Sequence, residues 1–178
     1  GIIGQLISVY LVYFFFNFDF DFIYSNIFIT FGIIGNLYLI FVYKKTLLTD
    51  RSAFIHLLID IIQLCGLIYL TGGVTNPFVI FLVVPAIVSS TLLNLPSTFF
   101  LSFITSISLL LLTFNYFPLP SEGNIHFHVP DYYLYSIPTA LIIVLIFLNY
   151  FGFRFGHEAR RRSEALNRLE SVLAKEQE

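Results

Sequence analysis

Over the first 153 residues, apolar positions do not alternate with polar ones. They come in continuous runs separated by short polar breaks. A helix that crosses a bilayer needs roughly 20 mostly apolar residues. Six runs approach that length: Ile2–Phe16, Phe22–Tyr43, Ala53–Thr71, Pro77–Leu95, Thr98–Phe117 and Tyr132–Phe153. The first is short, and its opening turns are expected upstream of residue 1. The fourth contains Pro85, which lacks a backbone donor and is expected to kink a helix there, with Pro96 closing it. Pro138 is expected to bend the sixth. A transmembrane β-barrel does not fit, because its strands would alternate with a two-residue period. The pattern predicts an all-α fold: a polytopic membrane domain of six transmembrane helices over residues 1–153, then a cytoplasmic, coiled-coil-like linker helix over 154–178.

The tail changes character at Arg154. Phe155, Ala159, Arg162, Leu166, Leu169, Leu173 and Glu176 are spaced alternately by four and three, the heptad period of a coiled coil. Arg162 and Glu176 make the seam imperfect. A parallel two-helix stalk, pairing with a second copy as a homodimer, is the preferred reading, beside a single solvated helix.

Composition sharpens the class. Of 178 residues, 57% are hydrophobic and only 11% charged, against about 25% charged in a soluble domain. A water-soluble fold of this length cannot hide so much apolar surface, and 22 Phe with 11 Tyr excludes disorder. The net charge of −2 and the absence of a long basic stretch exclude a nucleic-acid partner. Cys65 cannot form an internal disulfide, and no Cys/His cluster has zinc spacing. With no methionine, the chain reads as part of a longer protein, and no basic n-region marks a cleaved signal peptide.

Charge in the loops gives a topology. Lys44, Lys45 and Arg51 fall in the second loop; Arg154, Arg160, Arg161 and Arg162 follow the sixth run. The odd-numbered loops carry no Lys or Arg. Lys and Arg stay on the cytoplasmic side, so both chain ends are expected in the cytoplasm of a bacterial inner-membrane protein.

The most unusual segment is the outward loop Leu70 to Phe78, LTGGVTNPF. Gly72 and Gly73 end the third run where positive φ is needed. Pro77 is well placed in a first helical turn. A tight helix-to-helix turn explains that much. Thr75, Asn76 and Phe78 remain, in uncharged backbone at membrane depth, which is tolerated only inside protein or around a cavity. An Asn amide can donate to a carbonyl and an aromatic ring can stack on a flat ring, groups suited to a neutral quinone head. Turn and ligand site both stand as readings.

The same segment resembles the GGxxNPF heptapeptide of the RegB/PrrB/ActS family of redox-responsive sensor histidine kinases, and the likeness extends through Asp60, Gln63 and Leu64, the IGQL near the start and the LESVLAKEQE near the end. The resemblance implies a six-helix sensor region of a two-component kinase responding to the ubiquinone pool. It implies that Gly72, Gly73, Asn76, Pro77 and Phe78 carry the quinone motif, with Thr75 beside them. Catalytic residues, the family's redox-active cytoplasmic cysteine and the ATP site belong to an absent kinase core, which would pass phosphate to a response regulator. His157-Glu158 begins like a phospho-acceptor box but continues ARRRS without proline, and is read as a juxtamembrane surface pair.

His56, Asp60 and Gln63, spaced by four and three, share one face of the third run. They form a possible intramembrane polar network, read as helix packing or as a proton-linked signalling element. Asp60 lies about 18 Å along the helix from Gly72, too far to touch a quinone head at the loop. Cys65 is expected to be packing. His126 and His128, near Glu122 and Asp131, could in principle hold a metal; solvated histidines are the expectation, and Asp19 and Asp21 read as an outer-loop cap. The rival classes are a small transporter or channel subunit, which would need a polar midplane pathway, and a structural membrane protein.

Overall fold

A computed structural model describes residues 2–15, 22–42, 50–116 and 129–176, all helix or turn with no strand among them. Lys44, Lys45, Asp19, Asp21, Glu122, His126 and His128 lie outside the described residues. Helices α1 (Ile2–Phe14), α2 (Phe22–Val42) and α3 (Asp50–Leu70) lead into two 3-10 segments, Gly73–Thr75 and Pro77–Val83. Then come α4 (Val84–Leu92), α5 (Leu95–Phe114) and α6 (Asp131–Glu176). Asp50–Leu70, Leu95–Phe114 and Asp131–Leu173 are long and apolar enough to cross a membrane; Ile23–Gly35 and Pro77–Leu92 are apolar but shorter.

The main core is built by Ile61, Leu64 and Ile68 of α3, Leu82 and Ala86 around the start of α4, Leu101 and Leu109 of α5, and Leu141 and Leu145 of α6. Helices α1 and α2 attach to one side through Val9, Ile29 and Leu67. Large side chains such as Phe31, Phe99, Phe114 and Ile146 point outward, as expected where the solvent is lipid. The interior instead holds small polar residues, among them Ser89, Thr98, Thr105 and Thr113, which allow close helix approach. The α2–α3 contact shows this directly. A Cβ on Gly32 would land on the Gln63 carboxamide, and one on Gly66 would land on the Phe28 ring. Gln63 Nε2 donates to the Phe28 carbonyl oxygen at 3.0 Å, so each helix inserts a side chain over the other's glycine.

The fourth run departs from the expected kinked α-helix. Its first half is the 3-10 segment Pro77–Val83, and Pro85 sits in the first turn of α4. A continuous α-helix would require a Pro85 N–H to reach the Phe81 carbonyl, and proline has none. The tighter winding lets the Val84 N–H take that carbonyl. Pro96 does not close the fourth run either. The chain turns at Leu93, where the backbone is extended, and Pro96 lies in the first turn of α5, which Asn94 caps by accepting from the Ser97 N–H at 3.1 Å. The tail is continuous with the sixth run: α6 extends over 46 residues with Pro138 inside it, about 69 Å at 1.5 Å per residue.

Candidate functional site: the loop at the end of α3 and the start of α6

The loop is wound by its own polar groups. The Thr71 hydroxyl donates to the Leu67 carbonyl at 2.8 Å, closing α3. Gly72 and Gly73 follow with φ of 100° and 59°, two successive left-handed residues that only glycine adopts without strain. A Cβ on Gly73 would lie 2.5 Å from Tyr116 Cβ and 2.7 Å from the Leu112 carbonyl oxygen, so the turn sits flush on the end of α5. The Thr75 hydroxyl donates back to the Gly72 carbonyl at 2.6 Å.

Asn76 is the knot of the loop and is only 7% exposed. Its Nδ2 donates to the Thr71 carbonyl at 3.0 Å and to the Thr71 hydroxyl at 2.7 Å. Its Oδ1 accepts from the Phe78 N–H at 2.9 Å, capping the 3-10 segment that Pro77 begins. Both amide hydrogens therefore face Thr71. A ligand carbonyl would meet Asn76 as a donor only after one of those bonds opened. Phe78 is half-buried and stacks on Phe81, centroids 5.9 Å apart and planes 14° from parallel.

Beside this loop lies a groove of about 480 Å³. Val74, Thr75, Asn76, Pro77 and Ile80 form one wall; Tyr133, Ser136, Ile137 and Ala140, from the first turns of α6, form the other. Its size and its apolar lining with a few polar groups are those of a small-molecule site. The Ser136 hydroxyl donates to the Tyr133 carbonyl at 2.7 Å, which leaves the lone pairs of its oxygen as acceptors. Of the motif residues, Thr75, Asn76 and Pro77 line the groove, Gly72 and Gly73 shape the turn behind it, and Phe78 is not part of its lining.

The wall from α6 is the part that sequence reasoning missed. Tyr133, Ser136, Ile137 and Ala140 fit the three-and-four spacing of one helix face, but that face reads as interfacial tyrosines on a membrane span. Some sixty residues separate them from the motif, and no local pattern joins the two.

The polar residues of α3 do not belong to this groove. Gln63 holds α2, as described above, while Asp60 and His56 lie one and two turns nearer the start of α3, both half-buried. Cys65 packs against the main core and lies within hydrogen-bond reach of Ser108 of α5. His157 is exposed on α6 and Glu158 pairs with Arg162 at 3.2 Å, one turn on.

Comparison with known proteins places this arrangement. Residues 6–166 match the family model of the PilS-like transmembrane domain, a six-transmembrane family. Over 151 residues, 82% of this chain, the sequence is 34% identical to the sensor histidine kinase RegB of Cereibacter sphaeroides. The chain spans about a third of that relative's length, 32%. No solved structure matches.

Proposed function

The chain belongs to the family of PilS-like transmembrane domains, and from that premise we propose that it is the membrane sensor module of a two-component histidine kinase that reads the redox state of the ubiquinone pool. The observation that carries this reading is the groove. One wall is the GGVTNPF loop and the other is the start of the helix that runs on into the tail. A ligand seated there touches the motif and the output helix together. Regulation then needs only a different affinity for two arrangements of that helix. The similarity to a sensor histidine kinase supports the class of output.

In this account residues 1–153 sense and residues 154–178 lead to a kinase core that uses ATP and phosphorylates a response regulator. Lys and Arg clustering puts Arg51 and Arg154 to Arg162 at the cytoplasmic face and the groove at the outer face of the bacterial inner membrane. Leu166, Leu169 and Leu173 are 61%, 59% and 56% exposed on α6, apolar side chains at heptad spacing beyond the membrane. Pairing with a second copy would bury them, which supports a homodimer.

Quinone titration of the chain in lipid nanodiscs tests the site. Ala140→Leu and Ser136→Leu fill the groove from the α6 side without touching the loop's hydrogen bonds. Both should weaken ubiquinone binding about tenfold or more, whereas Cys65→Ser should bind as wild type. Unchanged titrations in both groove variants would remove the site.

A further inference from the structure

The carboxyl end of α4 is fastened to α6 by a set of contacts that the loop motif does not explain. Helix C-termini leave carbonyls without partners inside the helix. In α4 three of them, on Ser89, Thr91 and Leu92, accept from side chains of α5 and α6. The Ser89 carbonyl accepts from the Leu93 N–H at 2.8 Å and from the Thr98 hydroxyl of α5 at 3.0 Å. The Leu92 carbonyl accepts from Arg160 Nη2 of α6 at 2.8 Å, with the Thr91 carbonyl 3.4 Å from the same nitrogen. A cation on the last carbonyls of a helix also meets the negative end of its dipole.

Two glycines let the helices come this close. A Cβ on Gly152 would overlap the Ser90 hydroxyl, and one on Gly156 would lie 3.2 Å from the Thr91 carbonyl oxygen and 3.3 Å from the Thr91 Cα. Gly152, Gly156 and Arg160 are each four residues apart, one ridge of α6, and the last turn of α4 lies along it. Gly152, Ala159, Leu166 and Leu173 are each seven apart. A seven-residue step drifts only about 20° around a helix. That drift runs opposite to the ridge through Gly156 and Arg160, so the exposed leucines of the tail lie on the flank of α6 beside the one that receives α4.

We infer that the α4 terminus, Gly152, Gly156 and Arg160 form a clasp that couples the loop motif to the exit direction of the tail. The 3-10 segment and α4 run without interruption from Asn76 to Leu92. A rearrangement at the motif end therefore reaches α6 at its other end as a push on the Gly152–Arg160 ridge. The clasp stands on these contacts alone and does not depend on which ligand, if any, occupies the groove.

The test needs no quinone. In this chain with Cys65→Ser, spin labels at Leu95→Cys and Ser163→Cys report the distance between the start of α5 and the tail. Asn76→Ala, which unties the loop, should shift that distance by about 1–2 Å, the scale of helix shifts in switching proteins. With Arg160→Ala added, the shift should vanish. Arg160→Lys keeps a cation on the last carbonyls of α4 and should retain the shift at least in part. Should Arg160→Ala fail to fold, Gly156→Leu, which parts the ridge from the Thr91 backbone, carries the test, and the shift should vanish in it as well. The clasp is overturned if Asn76→Ala moves the tail equally with and without Arg160 or the Gly156 contact, or moves it in no background.

Discussion

At single residues the loop is governed by backbone geometry and hydrogen-bond supply. Gly73 has φ of 59° and no room for a Cβ. Gly73→Ala should lose about 1–2 kcal/mol from the left-handed backbone alone, plus the overlap with Tyr116. Gly35, which has nothing within 4 Å of a built Cβ, is the control. Gly35→Ala in the middle of α2 should be neutral or gain up to about 1 kcal/mol. Thermal unfolding of the two variants in nanodiscs should separate them in opposite directions. Asn76 has a different part from the one its chemistry suggests in isolation. An amide in an uncharged loop reads as a donor for a ligand, whereas here both amide hydrogens bond Thr71 and the oxygen caps the next segment. Asn76→Ala should cost about 1–3 kcal/mol by leaving the buried Thr71 carbonyl unpaired. Any loss of quinone affinity in that variant thus includes a loss of loop structure, which groove-filling variants on α6 avoid. The sequence made the motif visible as a chemical oddity. It could not show that the groups of Asn76 would be satisfied five residues away.

At the scale of elements, the apolar runs place α3, α5 and α6 well, because length and continuous hydropathy are what a bilayer demands. They fail at the fourth run, where Pro85 and the capping of Asn76 favour 3-10 winding over a kinked α-helix, and around Pro96, which opens α5 instead of ending its predecessor. Proline marks a missing donor in either case. Whether the chain kinks, ends or begins a helix there depends on which neighbouring groups accept and donate, and these are tertiary. The α2–α3 seam makes a prediction at this scale. Gln63→Leu removes one interhelical hydrogen bond, worth about 0.6 kcal/mol on average in a membrane protein. Gly32→Val drives a side chain into the Gln63 carboxamide and forces the helices apart. Gly32→Val should therefore lower the unfolding temperature more than Gln63→Leu. The reverse order would mean that the hydrogen bond, and not the close approach, holds α2.

For the whole molecule, the two ends of the bundle are built differently. The loop, the end of α5 and the start of α6 meet at one end; the α4 terminus, the start of α5 and the arginines of α6 meet at the other. Helix α6 is common to both. The heptad spacing, legible in the sequence, predicts that Leu169→Lys should reduce interchain crosslinking of the tail, since a buried charge at a seam position is costly; an unchanged yield would argue for single solvated tails. The groove itself was not legible, because its α6 wall is far from the motif in sequence and looks like an ordinary membrane-facing helix. The proposed quinone site lies between those two walls. Photoaffinity labelling addresses it most directly: an azido-ubiquinone is crosslinked to the chain in native membranes, and the labelled peptides are mapped by mass spectrometry. The account predicts labels within residues 74–80 and 133–140 together, lost on competition with unlabelled ubiquinone and reduced in Ala140→Leu. Competable labelling confined to other helices, such as the half of α3 bearing His56 and Asp60, would contradict it.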